Sequence, residues 1–358
     1  MKRGPKFQII IFLFLSAQLA ACATPDDTGQ DRRAIKEWKR ILKNTPLPQK
    51  NTELELKQII GKEGQIGPQA FLKFLWDIVS DKKENFYISD WGGDKIVKFK
   101  MNGSFICSFG KTGQGPGDLF RPASIMLNND QIIVHDSGNR RVVYFDEGGN
   151  YLKHFKLYRN YFELAISPKG QFFAIPFFID EKKNNEIVDV LDGEGHLIRS
   201  FGIYPKIIPR LREAWGHISF NPQSEEIYLA YSHFLIVQKY TSEGELLGEY
   251  RISHPFMRLK EKENMDKLKR IANPALFQVI DAIEAVGDGF FLLITYPRTE
   301  FLHFDRRGLF LMDYWYSSSW DAGAAKSFIV KNNNLDEKTF ILFYEQKYPS
   351  ILILEKRR

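Results

Sequence analysis

The chain has 358 residues, 50 Lys and Arg against 44 Asp and Glu, and 14% aromatic residues with Phe (30) far ahead of Tyr (15) and Trp (6). A chain of this length can bury a large core without covalent staples, and its two cysteines exclude a disulfide-framework protein. Three basic residues fall within the first six, so the formal charge of +6 drops to +3 beyond them and gives no basis for nucleic-acid binding.

Lys2, Arg3 and Lys6 precede an apolar run from Phe7 to Leu15 that only Gln8 interrupts. The run is shorter than the roughly 20 residues a membrane-spanning helix needs, and its basic flank fits an export signal. It leads into Leu19-Ala20-Ala21-Cys22, which resembles the lipobox of bacterial lipoproteins. That resemblance implies cleavage before Cys22, diacylglycerol and palmitate at the cysteine, and a membrane lipid anchor outside the cytoplasm. Ala23, rather than Asp, after the cysteine points to the outer membrane of a Gram-negative cell. An ordinary secretory signal cut near Ala23 or Thr24 is the alternative. With Cys22 consumed by lipid, Cys107 is alone, and its place in Phe105-Ile106-Cys107 predicts a buried, inert thiol. The expected organisation is a signal over 1–21, a lipidated tether over 22–51 and one domain over 52–358. Within the tether, 32–44 has the spacing of a short charged helix, stopped by Pro46 and Pro48.

The remainder repeats. An apolar residue, three others, a glycine, one more and an apolar residue recur at Phe99-Gly103-Phe105, Phe145-Gly149-Tyr151, Leu191-Gly195-Leu197, Tyr240-Gly244-Leu246 and Phe304-Gly308-Phe310. The glycines lie 46, 46, 49 and 64 residues apart, a period that signals a solenoid or propeller. Short Ile-, Val-, Phe- and Tyr-rich runs bounded by turn residues flank them: 85–89, 95–100, 131–135, 142–146, 226–231, 234–240, 290–295 and 301–305. Four strands per period with glycine in the last hairpin make a propeller blade. Connectors repeat too, as Phe109-Gly110 leads into Gly115-Pro116-Gly117 and Ile60-Gly61 into Gly67-Pro68. Hence 52–60 is an outermost strand lacking inner partners before it. The C-terminus supplies three strands, 327–330, 339–344 and 350–355, without a fourth. Joining the two predicts an all-β, six-bladed β-propeller whose ring is closed by an N-terminal strand. The longest period carries an insertion, Met257–Ala272, expected as a helix with Met265, Leu268 and Ile271 on one stripe.

Val134-His135-Asp136-Ser137-Gly138-Asn139-Arg140-Arg141-Val142-Val143-Tyr144-Phe145, after Gly115-Pro116-Gly117, Phe120 and Pro122, resembles an NHL repeat, and Ile88 to Phe99 is a weaker copy. The whole resembles the six-bladed (NHL/TolB-like) propeller lipoproteins of Gram-negative bacteria. The match is specific over 57–155. Later blades keep only the hairpin glycines and strand rhythm. A propeller hosts many functions, so the resemblance implies a fold more than an activity.

Gly110-Lys111-Thr112 lacks the upstream glycine and following helix of a phosphate loop, since position 105 is Phe. No Gly-x-Ser-x-Gly nucleophile elbow occurs, and the seven histidines form no His-x-x-x-His pair, so no catalytic residue and no metal ligand is assigned. Aligning the innermost strands places Asp77, Ser124, Glu163, His217, Asp281 and Lys326 around the central channel. Related six-bladed lactonases and lyases place calcium or zinc there. Asp77, Glu163 and Asp281 are oxygen donors suited to calcium, which Lys326 would oppose. A polar, water-filled channel is the simpler expectation, with no cofactor. The turn-and-connector side of the disk gathers Trp91, Lys95, Arg140, Arg141, Lys182, Lys183 and Arg298. It also receives the insertion, whose residues 257–270 hold six bases, Lys267, Lys269 and Arg270 among them, against three acids. Trp315 and Trp320 precede the split blade. Basic groups interleaved with aromatics suit a protein or glycan partner. The expected function is therefore a membrane-anchored, monomeric binding module with no nucleic-acid role. The alternative is a metal-dependent lactonase- or lyase-like enzyme with its site in the channel.

Overall fold

The apolar stretches between Gly- and Asp-rich turns form twenty-four strands in a computed structural model that describes residues 50–61, 71–178, 186–207, 216–272, 274–295, 298–316, 327–332, 338–344 and 349–357. β1 (Asn51–Ile60) comes first. Four antiparallel four-stranded sheets follow. Blade 1 is β2 (Leu75–Ser80), β3 (Asn85–Asp90), β4 (Lys95–Lys100) and β5 (Phe105–Phe109); blade 2 is β6 (Pro122–Asn128), β7 (Gln131–Asp136), β8 (Arg141–Phe145) and β9 (Tyr151–Lys156). Blade 3 is β10 (Tyr161–Ile166), β11 (Phe172–Pro176), β12 (Val188–Leu191) and β13 (Leu197–Phe201); blade 4 is β14 (Gly216–Asn221), β15 (Glu226–Tyr231), β16 (Ile236–Thr241) and β17 (Leu246–Arg251). A helix, α1 (Met257–Arg270), precedes blade 5, which is β18 (Ala282–Val286), β19 (Gly289–Ile294), β20 (Thr299–Asp305) and β21 (Phe310–Tyr316). Blade 6 is β22 (Phe328–Asn332), β23 (Lys338–Tyr344) and β24 (Ser350–Lys356), completed by β1, which pairs antiparallel with β24 from Leu54↔Lys356 to Ile60↔Ile351. The start of β1 also runs parallel to β21, so blades 5 and 6 join at their outer edges.

The core has six parts, one between each pair of neighbouring blades. Within β3, Phe86 and Ile88 pack towards blade 6, while Tyr87 between them packs towards blade 2. The period-2 alternation of a strand thus feeds two different interfaces. Ile329, Ile341, Ile351 and Ile353 of blade 6 meet Leu75, Ile88 and Val97 of blade 1, which closes the ring. Each fully buried Phe or Leu stabilises by roughly 1.5–3 kcal/mol.

The repeated glycines have two separate reasons to be glycine. Gly149 holds φ +84°, and a Cβ there would stand 2.5 Å from the Phe109 ring on the outermost strand of the preceding blade. Gly195 meets Phe155, Gly244 meets Phe201 and Gly308 meets Tyr250 in the same way. Gly103 meets Gln58 and Ile60 of β1, so β1 plays for blade 1 the part that each preceding outer strand plays for the next. The turn carboxylates Asp146, Asp192 and Asp305 each accept two backbone N–H groups and fix the same hairpin.

Several expectations change. Cys107 is only half-buried on β5, because an outermost strand shows one face to water, and burial still pushes its thiol pKa up. α1 ends at Arg270, and its buried stripe is Met257, Glu261, Asn264 and Leu268, with Ile271 51% exposed. The stripe is partly polar because it docks by hydrogen bonds: Glu261 accepts from Leu235 N at 2.9 Å, and Asn264 bonds the His233 and Phe277 carbonyls. Residues 1–49, with Cys22 and the segment 32–44 expected as a helix, and Lys182, Lys183, Trp320 and Lys326 lie outside the described residues. Among those described, no helix is long and apolar enough to cross a membrane.

Candidate functional site at the channel mouth

The inner strands of blades 1–3 break their ladders near the connector end, with register shifts between Leu75 and Asp77, Pro122 and Ile125, and Tyr161 and Glu163. Such bulges re-aim side chains. A residue in or just after each bulge becomes a staple to the next blade. Asp77 Oδ2 accepts Ile125 N at 2.9 Å, Ser124 Oγ accepts Leu164 N at 3.1 Å and Glu163 Oε1 accepts Ile218 N at 3.0 Å. Blade 4 has no bulge, and there Ser219, two residues beyond His217, takes the role by accepting Ala285 N at 3.0 Å. The missing bulge puts His217 out of step with the residues it aligned with. Asp281 turns into its own blade, bonding Thr295 N at 2.7 Å and Thr295 Oγ1 at 2.9 Å.

The channel is acidic. Burial, aided by the charge of Glu163, raises the Asp77 pKa to about 6. Glu284, which sequence alignment missed, is pushed up to about 8 by burial and by Asp77, with Lys331 opposing. Asp77 accepts Ile78 N and Ile125 N, Glu163 accepts Ile218 N and meets His217, and Asp281 Oδ2 accepts both Thr295 donors. Among the described residues no three His, Cys, Asp or Glu side chains are grouped so as to hold a metal ion. These residues do not fit the calcium site that the fold resemblance implied.

The bulged residues themselves build the mouth. Trp76 and Phe162, from blades 1 and 3, meet with ring centroids 6.2 Å apart; blade 2 has the small Ala123 in its bulge. Trp76 stacks with Trp91 at 6.1 Å, Arg121 lies over the Trp91 ring at 4.8 Å, and Phe74 joins at 5.4 Å. On the other side Phe162 meets Phe177 at 6.3 Å and His217 at 6.2 Å. Trp76, Trp91, Phe162 and Phe177 are all part-exposed. Each aromatic pair adds roughly 0.5–1.5 kcal/mol beyond its burial.

A polar dyad adjoins the Phe162 ring. His217 Nδ1 is 2.8 Å from Glu163 Oε2, and Glu163 is itself fixed by Ile218 N. A carboxylate acceptor at Nδ1 fixes the tautomer and leaves Nε2 as the acceptor, 3.4 Å from Gln278 Nε2. The sequence carried a trace of this site: an aromatic followed by an acid opens two inner strands, Trp76-Asp77 and Phe162-Glu163.

The basic side is less basic than its composition. Arg141 is no part of an exposed face: it is 5% exposed, pairs with Asp136 at 2.7 Å and bonds the Gln114, Gly115 and Asp118 carbonyls, pinning the connector. Lys95 bonds the Phe71 carbonyl at 2.7 Å, Lys267 bonds the Ala275 carbonyl at 3.1 Å, and Lys269 lies 3.8 Å from Asp266. Arg298 lies between Glu300 and Asp313 and over Trp315. Arg140 and Arg270 are exposed. The contacts of α1 with His233 and Leu235 put it on the turn side that also carries Arg140.

The sequence family DUF5128, described as a 6-bladed beta-propeller, matches residues 77–201. No curated protein matches the sequence. Among solved structures, a member of the DUF4221 family from Bacteroides vulgatus aligns with a TM-score of 0.56 at 9% identity over 87% of this chain and 100% of that one. Virginiamycin B lyase from Staphylococcus aureus aligns with 0.52 at 9% identity over 84% and 99%. Luciferin-regenerating enzyme aligns with 0.51 at 9% identity over 80% and 94%. At these identities the likenesses speak for the fold alone: the chain is a β-propeller of the six-bladed kind.

Proposed function

We propose that this protein is a lipid-anchored, extracytoplasmic binding module, held at the outer membrane through Cys22, whose channel mouth receives a glycan or a protein side chain presenting a ring. The observation that carries this is the convergence of Trp76 and Phe162 from separate blades beside the Glu163–His217 pair. Specific sites combine apolar walls with a few fixed polar groups, and this mouth has both. The paired lysines and arginines of the basic side supply its rim rather than its recognition. Titrating the tryptophan fluorescence of the chain with a panel of soluble oligosaccharides and ring-bearing peptides tests the reading. Saturable quenching that Trp76→Ala and Phe162→Ala remove, and that Arg140→Glu leaves in place, supports it. Quenching unaffected by both mouth substitutions contradicts it.

A second reading rests on the dyad. A histidine oriented at Nδ1 by a carboxylate is the arrangement of a general base, and here Nε2 is 3.4 Å from the Gln278 side chain. Such a base would serve proton abstraction from a ligand held at the mouth. Turnover of a bound ligand that His217→Ala abolishes while binding persists would select the enzyme.

A further inference from the structure

A second cleft, separate from the mouth, runs along α1. It encloses about 500 Å³ between the helix, blade 4 and the connector before it. Its floor is apolar. Phe234 is buried in the interface between blades 3 and 4, Met265 packs on the same cluster, and Ile207 and Leu259 are left 50% and 41% exposed. Its rim is basic, and its charges are unevenly paired. Arg251 is bound to Glu261 at 3.0 Å and Lys269 lies 3.8 Å from Asp266. Arg258 and Lys262 also line the cleft, are exposed, and pair with no carboxylate among the described residues. They sit four positions apart, so they project from one face of the helix. The first turn of α1 contains no acidic residue. Positive groups there oppose the positive end of the helix dipole, an arrangement that an incoming anion relieves.

We infer that this cleft docks an acidic peptide segment of a partner protein, with an apolar side chain on the Ile207–Leu259 floor and carboxylates at Arg258 and Lys262. Charge complementarity selects this occupant: the floor alone would accept any apolar group, but the two unpaired cations demand flanking anions. The inference is independent of the mouth.

Fluorescence anisotropy on the detergent-solubilised full chain tests it, with a short labelled peptide alternating leucine and glutamate as the probe. Saturable binding is expected at about 0.1 M salt, weakening at least about tenfold near 1 M, where the screening length falls from about 10 to about 3 Å. Arg258→Glu with Lys262→Glu should weaken binding at least about tenfold, and Arg258→Lys with Lys262→Arg should retain it. Because these side chains are exposed, an unchanged thermal melt will show that the reversed variant is folded. Trp76→Ala should leave peptide binding intact whatever becomes of the mouth. Absence of binding at low salt, equal binding of a glutamine-for-glutamate peptide, persistence in the charge-reversed variant, or preference for phosphatidylglycerol vesicles over the peptide would each overturn the inference.

Discussion

At the residue scale, one position in a blade can serve the fold or the site, and its hydrogen bonds decide which. Asp136 and Arg141 form part of the motif that resembles an NHL repeat, yet both are buried and spend their groups on the connector. Removing one partner of a buried ion pair typically costs 3–5 kcal/mol, so Arg141→Ala should lower stability by about that much in urea unfolding without a specific effect on ligand at the mouth. Gly149→Ala should cost about 1–3 kcal/mol in the same measurement, since it combines positive φ with a clash on Phe109. The channel carboxylates give a pH prediction. Burial lifts the folded pKa of Glu284 to about 8, well above the ordinary carboxylate range, so the folded state holds more protons between that range and about pH 8. Stability therefore falls as pH rises through that interval, and the effect vanishes below it. The neutral variant Glu284→Gln should be the more stable protein at about pH 9, on the order of 1–3 kcal/mol, and should match the parent near pH 4. Equal melts at both pH values would show that Glu284 is not desolvated. Little of this was legible in sequence. Whether Arg141 faces water or a carbonyl depends on where the connector lies, and Trp76 faces the mouth only because of a bulge that strand periodicity does not encode.

At the element scale, the strand rhythm carried the architecture. Lys95–Lys100 and Glu226–Tyr231 have the bounds their apolar runs predicted, and the closing strand begins one residue earlier than Thr52. The turn glycines were legible because each answers two constraints at once. The helix was legible in position but not in orientation: Glu261 and Asn264 are buried because specific partners await them, which an apolar-stripe rule cannot detect. The inner-strand alignment slipped in blade 4 for want of a bulge. Ring closure gives the element-scale prediction. β1 buries Leu54 and Ile60 and covers the edge of β24. A chain beginning at Gly61 would expose that edge and should aggregate, while one beginning at Pro46 should unfold cooperatively. Matching melts for the two would mean that β1 adds nothing to the ring.

At the scale of the whole molecule, the start of β1 relates the anchor to the site. β1 starts at the outer rim between blades 5 and 6, where the Lys50 carbonyl accepts Asp313 N at 3.1 Å, so the proposed tether would leave the disk from its rim and not from the channel mouth. The proposed tether between Cys22 and Asn51 spans up to about 3.3–3.6 Å per residue when extended, enough to hold the mouth well clear of a bilayer. Cys22→Ser should abolish lipid labelling and release or stall the chain, and normal labelling of that variant would remove the anchor from the account. The mouth itself is most directly tested by photo-crosslinking in living cells. A benzophenone amino acid replaces Phe178, exposed beside Phe177 on the mouth side, or Leu152, exposed on the outer strand of blade 2. A discrete adduct at position 178 that Trp76→Ala removes, with none at 152, is the predicted result. An adduct at 152 and none at 178 would contradict the mouth as the binding site.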